Sequence, residues 1–182
     1  MSMKKLIAII GVFVLAVSVS GTAQEIKSVS VKASGLTCSM CSKAIFKALE
    51  KVPFVKSVDA DIENSGYDLT FKPGEAVSLD ALKDAVTDAG FSVAAMQVKA
   101  DFTAAAVQND AHIKGANYTF HFIQVKDTTL QGEQQLLILD KDFLPEKERK
   151  KYAAQTAMAC FETGKMKNQA GGQDRIYHVT MN

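Results

Sequence analysis

Between residues 26 and 98 the spacing of apolar side chains switches period four times, and that switching restricts the fold more than any other feature of the chain. Val29, Val31 and Ala33 alternate with polar residues, so residues 27–33 read as a half-buried strand. Ile45, Ala48, Leu49 and Val52 then follow at helical spacing, and Pro53 stops the helix. Val58, Ala60 and Ile62 form a second strand with acids on its outer face. Asn64-Ser65-Gly66 turns the chain, and Tyr67, Leu69 and Phe71 return it as a third strand. Ser78 is a suitable N-cap for a second helix with a buried face of Leu79, Leu82, Val86 and Ala89, closed by Gly90. Residues 91–98 supply a fourth strand. The order βαββαβ is one of the split-βαβ arrangements, and it predicts an α+β, ferredoxin-like unit over residues 24–99.

Beyond Lys99 the pattern changes. Residues 118–125, 134–139 and 175–181 read as strands, and a helix is expected from Pro145 to about Thr163, ending at Gly164. Residues 100–182 are therefore expected to form a second small, mostly β domain with one helix and no recognised role. No Pro/Gly/Ser linker separates the two stretches, which allows them to pack together.

Ahead of both, Lys4 and Lys5 precede an apolar run over residues 6–19, and Gly21-Thr22-Ala23 places small residues where a leader is cleaved. Residues 1–23 are expected to be a secretory signal peptide, being too short in their apolar part for a membrane span. The rest, with two lysines removed, carries a net charge of −1, and export places it in the periplasm or outside the cell. With 21 basic against 20 acidic residues, the chain has no basic stripe for a nucleic-acid polyanion.

Cys38 and Cys41 stand two residues apart where the first strand hands over to the first helix. The unpaired N–H groups of a helix start favour thiolate over thiol, and two thiolates on a short loop can converge on one soft metal ion. Only Cys160 remains elsewhere, so a four-thiolate zinc site within one chain is excluded. A thioredoxin-like redox pair is disfavoured by the absence of tryptophan and of proline between the cysteines. A plain disulfide would close so small a loop that it would stabilise little. Metal binding leads, with redox and structural pairing as alternatives.

Gly35-Leu36-Thr37-Cys38-Ser39-Met40-Cys41, with Asp88-Ala89-Gly90-Phe91 at the end of the second helix, resembles the heavy-metal-associated domains of copper chaperones, copper-transporting ATPases and periplasmic mercury-binding proteins. The resemblance covers residues 26–98, under half the chain. It implies that Cys38 and Cys41 are the two metal ligands, that Leu36 stands in for the methionine that usually anchors the loop, and that Phe91 packs near the site. It also implies a metal-transfer protein rather than an enzyme; an exported thiol–disulfide oxidoreductase, or an interaction module in which this fold is only a scaffold, are the alternatives. Thr37, where zinc- and cadmium-handling relatives often carry an acid, argues for Cu(I) over Zn(II), with Hg(II) as a further alternative.

Other residues carry weaker signals. Met40 is expected to point away from the ion. Lys43, Lys47 and Lys51 recur every four residues along the first helix and form either an ordinary solvated face or a docking surface for an acidic metal donor or acceptor. Cys160 shares a helical spacing with Ala153, Ala157 and Phe161 and reads foremost as a buried, inert thiol. A second site drawing on Cys160 with Met158, Met166 or His178 is the alternative. His121 and His178 each fall within a strand, where alternation can place them on one sheet face; His112 completes the histidine inventory.

Overall fold

A computed structural model describes residues 25–36, 39–61, 63, 66–168 and 171–181. The expected leader, Thr37 and Cys38 lie outside the described residues. The first six elements follow the predicted order: β1 (Glu25–Ser34), α1 (Ser39–Glu50), β2 (Val55–Asp61), β3 (Gly66–Phe71), α2 (Leu79–Asp88) and β4 (Ser92–Val107). Strands β2, β3, β1 and β4 are neighbours in that order, all antiparallel. The two helices pack on each other and against β2 and β4. This is the α+β, ferredoxin-like arrangement.

The local signals account for the element ends. Ser78 caps α2 by accepting the Ala81 N–H at 3.2 Å. Gly90, at φ +89°, lets the chain reverse so that the Phe91 N–H reaches the Val86 carbonyl. Leu79, Leu82 and Val86 are fully buried against the sheet, opposite Ile45 and Leu49 of α1.

β4 continues past Lys99 and Ala100, where the sequence pattern changes, as far as Val107. One edge pairs with β1 and the other with β7 (Thr128–Ile138). A register shift between Phe102 and Ala105, with Ala104 at φ +48°, bends the strand between its two halves. Beyond β7 the sheet continues through β9 (Gln173–Met181), β6 (Thr119–Phe122) and β5 (His112–Lys114). β8 (Lys165–Lys167) pairs with β9 off this path. The larger of two buried apolar clusters among the described residues runs from Ile26 in β1 to Val179 in β9, and the smaller holds Ile123, Leu139, Leu144 and Phe161.

The helix expected from Pro145 to Thr163 is corrected: two short helices, α3 (Glu146–Ala153) and α4 (Cys160–Thr163), replace it. The reason lies in the chain between them. Thr156 Oγ1 donates to Asp110 Oδ1 at 2.6 Å and accepts the Met158 N–H at 3.2 Å, while Asn109 Nδ2 donates to the Gln155 carbonyl at 3.3 Å. Side chains thus take over hydrogen bonds that a continuous helix would use. Arg149 then ties the pieces together, donating to the Phe161 carbonyl and pairing with Glu162 at 2.9 Å.

Candidate metal centre

The loop between β1 and α1 is set by its two ends. Gly35 leaves β1 at φ +83°, a conformation that side chains other than glycine rarely adopt. Leu36 turns back onto the main core, as an anchor would. On the far side α1 begins at Ser39, so Cys41 lies in its first turn and is half-buried. Met40 is 80% exposed and points outward, as expected.

Under Cys41, the next residue locks the turn to the sheet. Ser42 is buried, and its hydroxyl lies 2.9 Å from the Tyr67 hydroxyl, which also donates to the Ser42 carbonyl at 3.2 Å. Tyr67 comes from β3 and is itself buried. Sequence reasoning assigned it only to a strand; its position opposite α1 depends on a contact 25 residues away. Phe91 is half-buried and packs on the same core.

Lys43, Lys47 and Lys51 are all exposed on α1. Lys47 and Lys51 line a shallow groove between α1 and α2 together with Asp84 and Asp88. Lys43 lies outside that groove, in the turn of α1 nearer the cysteine loop.

Cys160 departs from its expected setting. It is buried, yet not on an alanine-lined helix face: it opens α4, and Ala157 is exposed. His121 and His178 are brought together by the parallel pairing of β6 with β9, directly opposite in register, with ring centroids 5.0 Å apart. Both are buried. His112, opposite His121 across the β5–β6 hairpin, stacks on it at 4.2 Å. His112, His121 and Cys160 bring their donor atoms together, while Met158 and Met166, the latter on β8, are exposed.

The comparisons with known proteins concern the first of these two regions. Residues 30–92 match the family model of the heavy-metal-associated domain. The mercuric transport protein periplasmic component of Shigella flexneri is 35% identical over 89 residues, which cover 49% of this chain and 93% of that protein. The copper chaperone CopZ of Staphylococcus aureus is 31% identical over 70 residues, 38% of this chain and 96% of its own length. Among solved structures, oxidized MerP from Ralstonia metallidurans is 34% identical, with a TM-score of 0.34, and aligns over 39% of this chain and 97% of its own. The family model, the element order and the mercuric transport and copper chaperone sequences agree: through its first half, the chain belongs to the heavy-metal-associated domain family.

Proposed function

We propose that this protein binds a soft metal ion, Cu(I) foremost, through Cys38 and Cys41 and passes it to a partner, acting outside the cytoplasm after loss of its leader. The position of Cys41 carries the reading: it is held in the first turn of α1 by the Ser42–Tyr67 contact, beside an outward-facing Met40. A ligand there sits at the helix start, on a half-buried position within reach of an incoming thiol. The relatives support the same class of activity, one named for mercuric transport and one as a copper chaperone.

Transfer on such a loop proceeds by ligand exchange. A partner thiolate bonds to the ion, one loop cysteine leaves and takes up a proton, and a second exchange completes the handover. No redox change is needed, and the ion is cargo rather than a catalyst. The exposed lysines of α1 support docking of an acidic acceptor beside the loop.

A competition titration of reduced protein against a chromophoric Cu(I) chelator tests the reading. Done in the Cys160→Ser background, it isolates the loop. One tightly held Cu(I) is expected, lost on Cys38→Ser or Cys41→Ser. Retention of that ion by both single variants would overturn the assignment, and preferential capture of Hg(II) in a parallel competition would reassign the metal.

A further inference from the structure

We propose a second metal site, separate from the cysteine loop, in which His112 Nε2, His121 Nδ1 and Cys160 Sγ hold a late first-row divalent ion, Zn(II) or Cu(II). The three donor atoms lie within 4.8 Å of one another. Cys160 Sγ is 3.5 Å from His121 Nδ1 and 3.8 Å from His112 Nε2. Metal–nitrogen bonds of about 2.0–2.1 Å and metal–sulfur bonds of about 2.3 Å, opened to tetrahedral or trigonal angles, separate S and N by about 3.5–3.8 Å. The two sulfur–nitrogen distances already match those of a coordination shell, and the stacked His112 and His121 rings, 13° from parallel, would tilt for both lone pairs to meet one ion.

The surroundings are organised for the same purpose. His121 Nε2 lies 2.9 Å from Asp110 Oδ1. An ionised carboxylate can only accept, so Nε2 carries the proton and Nδ1 turns its lone pair to Cys160. A metal-binding histidine commonly has its second nitrogen held by a carboxylate in this way. Asp110 is fixed in turn by Thr156, by the Phe122 carbonyl, which accepts its N–H at 2.8 Å, and by a left-handed backbone at φ +62°. Such strain in a residue that is not glycine persists only where its surroundings enforce it.

Charge and softness select the ion. Binding displaces the thiol proton of Cys160 to solvent and leaves one thiolate. With the Asp110 carboxylate, this balances a doubly charged cation, while thiolate and imidazole together suit Zn(II) and Cu(II) better than harder ions. His121 and Cys160 are buried, and the half-exposed His112 gives the ion a way in.

The test uses the full chain carrying Cys38→Ser and Cys41→Ser, so its result is independent of the loop. Co(II) added to this protein should produce a thiolate-to-metal absorption band that saturates at one equivalent and is removed by one equivalent of Zn(II). Cu(II) added separately should give its own intense sulfur-to-copper band, and competition between the two ions identifies the preferred one. Cys160→Ser should abolish both bands, and Asp110→Asn should weaken binding by about 10–100-fold. Absence of any band, or a band that survives Cys160→Ser, would overturn the site. Should Cys160→Ser fail to fold, X-ray absorption of the Zn(II)-loaded loop variant decides: one sulfur with two imidazoles supports the site, and a shell without sulfur rejects it.

Discussion

His121 shows how burial, with the neighbouring His112 and His178, shapes the chemistry of a side chain. Removed from water among Asp110, His112, His178 and Cys160, it is pushed down from 6.5 to about 4, against the pull of its Asp110 hydrogen bond. His112 is lowered in the same direction, also by burial. Between those limits the unfolded chain binds more protons than the folded one. Stability is therefore complete above about pH 6.5 and is lost as pH falls toward 4, at up to about 1.4 kcal/mol per pH unit for each fully responding group. Urea midpoints of the metal-free chain should fall across that window, and His121→Gln should flatten the fall; an unchanged slope would show that His121 is not held neutral. Tyr67 offers a second test. Tyr67→Phe removes a buried hydroxyl that meets Ser42 twice, leaving the ring in place. A loss of about 1 kcal/mol in unfolding free energy is expected, together with weaker Cu(I) retention in the chelator competition, since the first turn holding Cys41 loses its tie to β3.

At the scale of elements, α1 combines two duties: its inner face of Ser42, Ile45 and Leu49 is buried, and its outer face carries Lys43, Lys47 and Lys51. Replacing the three lysines with glutamate should slow metal transfer to an acidic acceptor and remove much of its salt dependence, with metal affinity nearly unchanged. Equal rates and equal salt slopes for both proteins would reduce the stripe to a solvated face. These elements were legible because their signals are local: Ser78 and Gly90 mark the ends of α2, and alternation marks β1 and β3. The histidine–cysteine cluster was legible only in part. His121 and His178 fall opposite each other because two distant strands pair in parallel, which no local spacing encodes. His112 did leave a signal. It and His121 are equally far from the turn at residues 115–118, where Gly115 fits under the Tyr118 ring and its N–H meets the Tyr118 carbonyl at 2.8 Å. Reading that turn as a hairpin would have set the two histidines side by side. Cys160 was misplaced because a continuous helix was assumed where Thr156 and Asn109 interrupt it.

Across the whole molecule, the sheet and a network of charges join the metal-loop half to the histidine half. Arg175 of β9 donates to both oxygens of Asp80 in α2, at 2.7 and 3.0 Å, and reaches Asp140 Oδ1 at 3.0 Å while stacking on Tyr177. Burial alone would raise the Asp80 carboxyl, but the hydrogen bond and charge of Arg175, with help from Tyr177, hold it below its ordinary value. Arg175→Met should cost about 1–3 kcal/mol, because it strands partly buried carboxylates. Urea unfolding read by circular dichroism and by NMR signals from both ends of the sheet should show one shared transition in the wild type, since the larger core cluster spans β1 to β9. Two separated transitions would contradict that coupling. The central claim, that the Cys38–Cys41 loop passes its ion on by thiolate exchange, is tested most directly by stopped-flow mixing of Cu(I)-loaded Cys160→Ser protein with a metal-free acceptor domain bearing its own Cys-x-x-Cys loop. The predicted transfer rate rises in proportion to acceptor concentration and exceeds spontaneous loss of the ion to a slow chelator. A rate independent of acceptor concentration would mean that the ion departs before the partner arrives, and would contradict the account.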